Sequence, residues 1–251
     1  MTIAHRTVGS GPHTVFCLHG WFGSAHGWGS FPDYLDGSTF TYVFTDNRGY
    51  GARKDEVGEY TLDEVAGDVL ALADELGADT FSLIGHSMGG AEVLRVLATA
   101  PDRVDKLVAI TPVGAQPTPL DEAGHALFYG AAENRDNRFG IVDFTTGNRL
   151  TPTWVNSVVD WSLEHSDKDA FHGALEAWAN ADFLSEVEGN ETPILVLPGE
   201  HDPALGEATV RRTWEPYFPN ITIEVVPNAG HYPMFETPVA LATSIERFLA
   251  G

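Results

Sequence analysis

The sequence is poor in basic residues. It has 14 lysines and arginines against 36 aspartates and glutamates, which gives a formal net charge of −22 over 251 residues. A surface this acidic repels the phosphates of nucleic acids and the headgroups of anionic lipids. We therefore expect neither a nucleic-acid partner nor a role at a membrane surface.

Cysteine and long apolar runs are also scarce. The only cysteine, Cys17, lies in the apolar run at residues 14–18, so no disulfide can form within the chain. This position predicts a buried core thiol rather than a nucleophile. No apolar stretch approaches membrane-spanning length, and the N-terminal residues lack the apolar segment of a signal peptide. We therefore expect a cytoplasmic protein.

Apolar residues, by contrast, are plentiful and arranged in a regular order. Hydrophobic residues make up 43% of the chain, as in globular proteins, and the length suits one domain with room for an inserted subdomain. Apolar periodicity predicts strands at residues 2–8, 14–18, 40–44, 81–86, 104–110, 193–197 and 221–226. Helices are predicted at residues 61–76, 88–98 and 238–249. This alternation predicts an α/β fold with a mostly parallel, doubly wound sheet, whose functional groups follow the carboxyl ends of the strands.

Residues 113–192 interrupt the alternation. They contain no convincing buried strand, but they offer helices at residues 121–134, 152–165 and 169–180. We predict a core domain of residues 1–112 and 193–251, with residues 113–192 forming a helical cap subdomain over the active edge. The predicted helices carry several aromatic residues, and we expect some of them to face a substrate pocket while the others form the core of the cap: Phe128, Tyr129, Trp154, Trp161, Phe171 and Trp178.

Ser87 lies where an apolar strand meets a helix, in the sequence Gly85-His86-Ser87-Met88-Gly89. A serine at the apex of a sharp strand-to-helix turn has a strained backbone, and the glycines around it remove the Cβ atoms that would collide there. The free N–H groups of the following helix point at whatever the serine attacks. The pattern predicts that Ser87 is a nucleophile.

A serine nucleophile needs a base and a carboxylate nearby, and the chain supplies both after later strands. His231 follows the last predicted strand in a Gly-rich loop, and Asp202 follows the strand before it. The carboxyl ends of parallel strands meet at one edge of a sheet, so these residues and Ser87 are expected to come together in the order serine, acid, histidine. The spacing from Gly199 favours Asp202 as the acid, while Glu200 is an alternative.

Five motifs in the same order resemble the α/β-hydrolase family, and together they span almost the whole chain: His19-Gly20, Asp46-x-Arg48-Gly49-x-Gly51, Gly85-x-Ser87-x-Gly89, Gly199-x-x-Asp202 and Gly230-His231. The resemblance implies the α/β-hydrolase fold with Ser87, Asp202 and His231 as the catalytic triad. It further implies an oxyanion hole formed by the backbone N–H groups of Trp21 and Met88. In the family, His19 would orient its loop, and Asp46 and Arg48 would hold neighbouring loops in place.

The resemblance implies a carboxylic ester hydrolase, a serine esterase that acts on a small ester or lactone through an acyl-enzyme. No metal or organic cofactor is expected, and the protein is expected to be a monomer or a homodimer. Two alternatives share the same residues. One is a carbon–carbon bond hydrolase of ring-cleavage products, and the other is a small-molecule receptor whose triad is slow.

Overall fold

A seven-stranded sheet organises the computed structural model, which describes residues 3–251. The strands run in the spatial order β1-β3-β2-β4-β5-β6-β7. Strand β1 pairs with β3 in the antiparallel sense, and every other pairing is parallel, which confirms the predicted sheet. The strands are β1 (His5–Gly9), β2 (His13–Leu18), β3 (Phe40–Thr45), β4 (Phe81–His86), β5 (Val104–Ile110), β6 (Ile194–Leu197) and β7 (Ile221–Ile223).

Ten α-helices accompany the sheet within the described residues. They are α1 (Leu62–Leu76), α2 (Met88–Thr99), α3 (Glu122–Tyr129), α4 (Arg135–Thr145), α5 (Pro152–His165), α6 (Lys168–Ala179), α7 (Leu184–Val187), α8 (Glu207–Thr213), α9 (Pro233–Glu236) and α10 (Pro238–Ala250). Local sequence explains the bounds of α1 well. The Thr61 hydroxyl accepts a hydrogen bond from the Glu64 N–H at its start, and Gly77 ends it in the left-handed conformation.

Both faces of the sheet are buried, because the central strands are apolar on both sides. On β2, Val15 and Cys17 belong to one core cluster, whereas Phe16 and Leu18 belong to the other. The first cluster continues into α3 to α6 and α10, and the second continues into α1, α2, α7 and α8. Cys17 is fully buried, as its apolar surroundings predicted. The sheet therefore provides a rigid edge from which the loops project.

The structure corrects several predicted bounds. The strand predicted at residues 2–8 is observed as His5–Gly9, and Thr2 lies outside the described residues. The helix predicted at residues 121–134 ends at Tyr129, and α4 follows it as a separate helix that the sequence analysis did not predict. Strand β7 ends at Ile223 rather than at residue 226, because its ladder with β6 stops there and only an isolated bridge joins Gly199 to Val226.

Helices α3 to α7 all lie between β5 and β6, and no strand interrupts them in this described segment. The assignment of residues 113–192 to a cap subdomain remains a prediction. Along residues 3–251, none of the helices combines the length and the hydropathy that crossing a membrane requires.

Candidate active site

Ser87 forms the turn between β4 and α2. Its backbone angles are φ +54° and ψ −113°, a conformation that costs energy for any residue with a side chain. Two glycines make the turn possible: a Cβ on Gly85 would lie 2.2 Å from the Gly89 oxygen, and one on Gly89 would lie 2.5 Å from the Leu18 oxygen. The Ser87 N–H donates to the Ile110 carbonyl at 3.0 Å, which joins the turn to the end of β5. Ser87 is thus held at the carboxyl edge of the sheet.

Asp202 and His231 form a buried hydrogen-bonded pair at that edge. The distance between His231 Nδ1 and Asp202 Oδ2 is 2.6 Å, and the carboxylate is fully buried. The other carboxylate oxygen accepts hydrogen bonds from the N–H groups of Ala204 at 2.9 Å and Leu205 at 3.0 Å. Because a carboxylate only accepts, the proton of the neutral imidazole lies on Nδ1 and the lone pair lies on Nε2. The pair therefore presents Nε2 as a base.

The backbone of His231 is bound to the strand ends beside Ser87. Its carbonyl accepts hydrogen bonds from His86 Nε2 at 2.8 Å and from the Thr111 hydroxyl at 3.1 Å. Burial, together with the nearby His231, lowers the pKa of His86 well below its usual range, so His86 is neutral and carries its proton on Nε2. Thr111 has φ +39°, which is unusual for a β-branched residue. These contacts connect the loop that carries His231 to His86 at the end of β4 and to Thr111 directly after β5.

The two carboxylates that follow β6 differ in their surroundings. The exposed Glu200 accepts a hydrogen bond from the Asn228 N–H at 2.7 Å, whereas Asp202 faces His231. Gly199 lets the two loops approach closely, since a Cβ there would lie 2.0 Å from the Gly230 oxygen. The geometry thus favours Asp202 over Glu200 as the partner of the histidine.

The predicted oxyanion hole consists of the backbone N–H groups of Trp21 and Met88. In the part of the chain that the structure describes, neither N–H donates to a protein acceptor. Met88 is the first residue of α2, where backbone N–H groups lack helical partners. Trp21 is anchored by its side chain, which stacks on Phe171 with ring centroids 4.1 Å apart and donates from Nε1 to the Phe171 carbonyl at 2.7 Å.

The loops next to the site are fixed by residues of the second motif. Asp46 accepts hydrogen bonds from the N–H groups of Ala25 at 2.7 Å and Ala52 at 3.0 Å, which ties two loops together. Arg48 forms ion pairs with Asp68 and Glu64. Asp46 and Arg48 therefore hold the neighbouring loops in place, and none of these contacts involves Ser87.

The sequence analysis missed two residues that contribute to the site. One is Thr111, and the other is Asn47, whose N–H donates to His19 Nε2 at 3.3 Å.

A cavity of about 260 Å³ lies beside the nucleophile turn. It is bounded by His86, by residues of the 19–29 loop, by Ser157, Val158 and Trp161 of α5, and by Tyr232, Met234 and Phe235. Most of this lining is aromatic or apolar. The cavity reaches the two residues that precede Trp21 and Ser87 in the chain, Gly20 and His86.

The six aromatic residues that the sequence placed on helices between residues 113 and 192 differ in their contacts, and Tyr129 stacks on His125 with ring centroids 4.0 Å apart. Trp161 lines the cavity. Phe128, Phe171 and Trp178 instead pack around Trp21, and Trp154 packs against Tyr232 and Phe235. No group of three or more histidine, cysteine, aspartate or glutamate side chains suited to a metal ion occurs among residues 3–251.

Comparisons with known proteins agree with this architecture. The chain is 28% identical to the esterase YbfF of Escherichia coli over 252 residues, which cover 94% of this chain and 92% of that protein. It is 25% identical to 3-oxoadipate enol-lactonase 2 of Acinetobacter baylyi over 210 residues, which cover 80% of this chain and 75% of the relative. The crystal structure of a bromoperoxidase from Bacillus anthracis has the same fold, with a TM-score of 0.86, 22% identity, and coverage of 98% of this chain and 95% of that chain.

The family assignment follows from a match over most of the length. The family model described as the alpha/beta hydrolase fold matches residues 13–238. Strands β2 to β7, the strained serine turn and the histidine–carboxylate pair lie within this matched region. The chain belongs to the alpha/beta hydrolase fold family.

Proposed function

We propose that the protein is a serine hydrolase that cleaves small carboxylic esters or lactones. The observation that carries this proposal is the 2.6 Å hydrogen bond between buried Asp202 and His231, at the edge of the sheet that presents Ser87. It leaves His231 Nε2 with the lone pair that an activating base needs. Relatives described as an esterase and an enol-lactonase support the choice of bond.

In the first half of the proposed reaction, Ser87 becomes acylated. His231 Nε2 takes the hydroxyl proton as Oγ bonds to the carbonyl carbon, and Asp202 stabilises the resulting imidazolium. The N–H groups of Trp21 and Met88 bind the oxyanion of the tetrahedral intermediate. As the intermediate collapses, the carbon–oxygen bond to the alcohol breaks, and Nε2 returns the proton to the leaving oxygen. A lactone follows the same steps, with the alcohol still attached to the acyl group.

In the second half, water replaces the alcohol. His231 Nε2 takes a proton from water as its oxygen bonds to the acyl carbon, and a second oxyanion forms between the same two N–H groups. The bond to Ser87 Oγ then breaks, and Nε2 returns the proton to Oγ. The products are a carboxylic acid and the free enzyme, so no cofactor takes part.

The cavity supports a preference for small substrates. Its volume of about 260 Å³ is below the usual range for sites that bind drug-sized molecules. Its aromatic and apolar lining suits a short alkyl chain or a single ring rather than a charged group. We therefore assign the non-reacting part of the substrate to this cavity.

Hydrolysis of p-nitrophenyl esters from acetate to decanoate tests the proposed function. We expect rapid turnover with the highest kcat/KM at butanoate or hexanoate and a clear decline by decanoate, because the longer chain exceeds the cavity. Negligible turnover by the folded protein would contradict the proposal. Cleavage of a vinylogous diketone would then identify a carbon–carbon bond hydrolase, and tight binding without turnover would identify a receptor.

Replacing Trp161 with alanine is expected to shift this preference toward longer acyl chains. Removing the indole enlarges the cavity, and the ratio of kcat/KM for decanoate to that for butanoate should rise at least about tenfold. The control is Leu163→Ala on the same helix, since the side chain of Leu163 is 40% exposed and lies outside the cavity. An unchanged ratio in the Trp161 variant would show that the acyl chain binds elsewhere.

A further inference from the structure

Glu92 is a buried carboxyl group that the proposed reaction does not use. It lies on α2, one helical turn after Met88, and it is 1% exposed. Glutamate is rarely this buried unless a cation pairs with it, and within the described residues no lysine or arginine does. Its one hydrogen bond comes from Asn47, whose Nδ2 donates to Oε1 at 2.6 Å, while Oε2 has no partner.

Asn47 connects Glu92 to the loop that carries Trp21. The Asn47 N–H donates to His19 Nε2 at 3.3 Å, and His19 Nδ1 donates to the Gly20 carbonyl at 2.8 Å. A carbonyl only accepts, so the proton of His19 lies on Nδ1 and Nε2 is free to accept from Asn47. Burial lowers the pKa of His19, which keeps this neutral tautomer. Each of the three hydrogen bonds that lead from Glu92 to Gly20 therefore has one defined donor and one defined acceptor.

The hydrogen bond between His19 and the Gly20 carbonyl determines the direction of the Trp21 N–H, one of the two proposed oxyanion donors. The Gly20 carbonyl and the Trp21 N–H belong to the same planar trans peptide, so fixing the carbonyl also fixes the direction of the N–H. Gly20 O accepts a second hydrogen bond from the Gly23 N–H at 2.8 Å. The other donor, the Met88 N–H, begins the helix that carries Glu92. Glu92 is therefore connected to both proposed oxyanion donors, to the Trp21 N–H through the hydrogen bonds of Asn47 and His19 and to the Met88 N–H through α2.

We propose that Glu92 is a positioning residue for the oxyanion hole, which acts through Asn47 and His19 to hold the Gly20–Trp21 peptide relative to the start of α2. This inference rests on the proposed serine hydrolase function. It assigns Glu92 no contact with substrate. It requires Oε1 to remain an acceptor for Asn47, which both a protonated carboxyl group and an amide provide.

The surroundings of Glu92 favour the protonated form at neutral pH. Burial raises its pKa to about 8, against the opposing effect of the Asn47 hydrogen bond. A small cavity beside it is lined by Arg48, Tyr50, Tyr60 and Glu64, while α6 contributes only alanines to that cavity. Among the described residues the buried Tyr50 hydroxyl has no partner. Burial raises the pKa of Tyr50 well above its usual value, Glu92 and Asp167 add to this rise, and Arg138 opposes it. Above pH 8, a carboxylate one turn from Met88 would oppose the developing oxyanion.

Two substitutions at this position separate the hydrogen bond from the charge. Glu92→Gln keeps an acceptor for Asn47 but cannot ionise, whereas Glu92→Leu has a similar size and no acceptor. For p-nitrophenyl butanoate at neutral pH, we expect the leucine variant to lose on the order of tenfold to a hundredfold in kcat with little change in KM. The glutamine variant should retain most of kcat and should lack the decline in activity that we expect of the parent above pH 8.

Several results would overturn this inference. A folded leucine variant with the kcat of the parent would do so, as would a glutamine variant that loses as much activity as the leucine variant. Thermal unfolding checks that both variants fold. If the leucine variant does not fold, the glutamine variant decides, because a loss of about tenfold or more in kcat by a variant that keeps the acceptor for Asn47 would exclude the proposed role.

The rate at which a fluorophosphonate labels Ser87 separates this inference from the proposed substrate class. In that reaction His231 Nε2 takes the hydroxyl proton as the bond between Oγ and phosphorus forms, fluoride leaves, and the phosphonyl oxygen enters the oxyanion hole. A parent protein that is labelled but cleaves no ester would contradict only the substrate class. In that case the leucine variant should still be labelled more slowly than the glutamine variant, and equal rates would refute the role of Glu92.

Discussion

Replacing Ser87 with alanine is expected to lower kcat for p-nitrophenyl butanoate by about a millionfold, since Ser87 is the proposed nucleophile and the triad acts as a unit. Substrate binding should change little, because the hydroxyl is small and the cavity lies beside the turn rather than around Oγ. The measurement is steady-state hydrolysis with repurified protein, together with thermal unfolding to show that the variant folds.

The control for this substitution is another buried serine, on the strand that leads to Ser87. Ser82 is fully buried on β4 and forms a 2.8 Å hydrogen bond with His13, away from the nucleophile turn. Ser82→Ala should therefore affect stability and leave kcat close to that of the parent. If Ser87→Ala retained more than a small fraction of the activity, a nucleophile other than Ser87 would be required.

Replacing Asp202 with asparagine is expected to reduce kcat about ten-thousandfold while the protein remains folded. An amide at this position can donate to His231 Nδ1, which would move the ring proton to Nε2 and remove the base. The matched substitution is Glu200→Gln, which changes the neighbouring carboxylate in the same way. Because Glu200 contacts the Asn228 N–H rather than the histidine, this control should keep nearly full activity. The reverse pattern would make Glu200 the acid.

The sequence predicted most of the fold because the central elements have strong local signals. Strand β5 was predicted with its observed bounds, since its apolar run is flanked by polar residues and by Pro112. Helix α1 was predicted within one residue, because its cap and its left-handed glycine mark both ends. Helix α4 was missed, because its sequence is polar and contains Gly140, so its apolar spacing is weak. That helix is stabilised instead by tertiary packing of residues such as Ile141 and Val142 in the core.

The positions of the candidate catalytic residues could also be predicted, because topology brings loops that follow parallel strands to one edge. The contacts that hold those loops could not be predicted. The hydrogen bond from the Thr111 hydroxyl to the His231 carbonyl joins residues 120 positions apart.

The sequence contains one indication that Glu92 has a special role, since it is the only charged residue in the otherwise apolar first turns of α2. Sequence alone could not show which aromatic residues line the cavity. Trp161 and Phe171 both lie on predicted helices, yet Trp161 lines the cavity and Phe171 packs against Trp21.

Covalent labelling tests the central claim most directly. The protein is treated with a fluorophosphonate, the loss of p-nitrophenyl butanoate hydrolysis is followed, and the adduct is located by peptide mass spectrometry. We predict one adduct per chain, on Ser87, that forms in proportion to the loss of activity and is absent from the Ser87→Ala variant. Complete inactivation with the adduct on another residue, or full ester hydrolysis by protein labelled on Ser87, would contradict the assignment of Ser87 as the nucleophile.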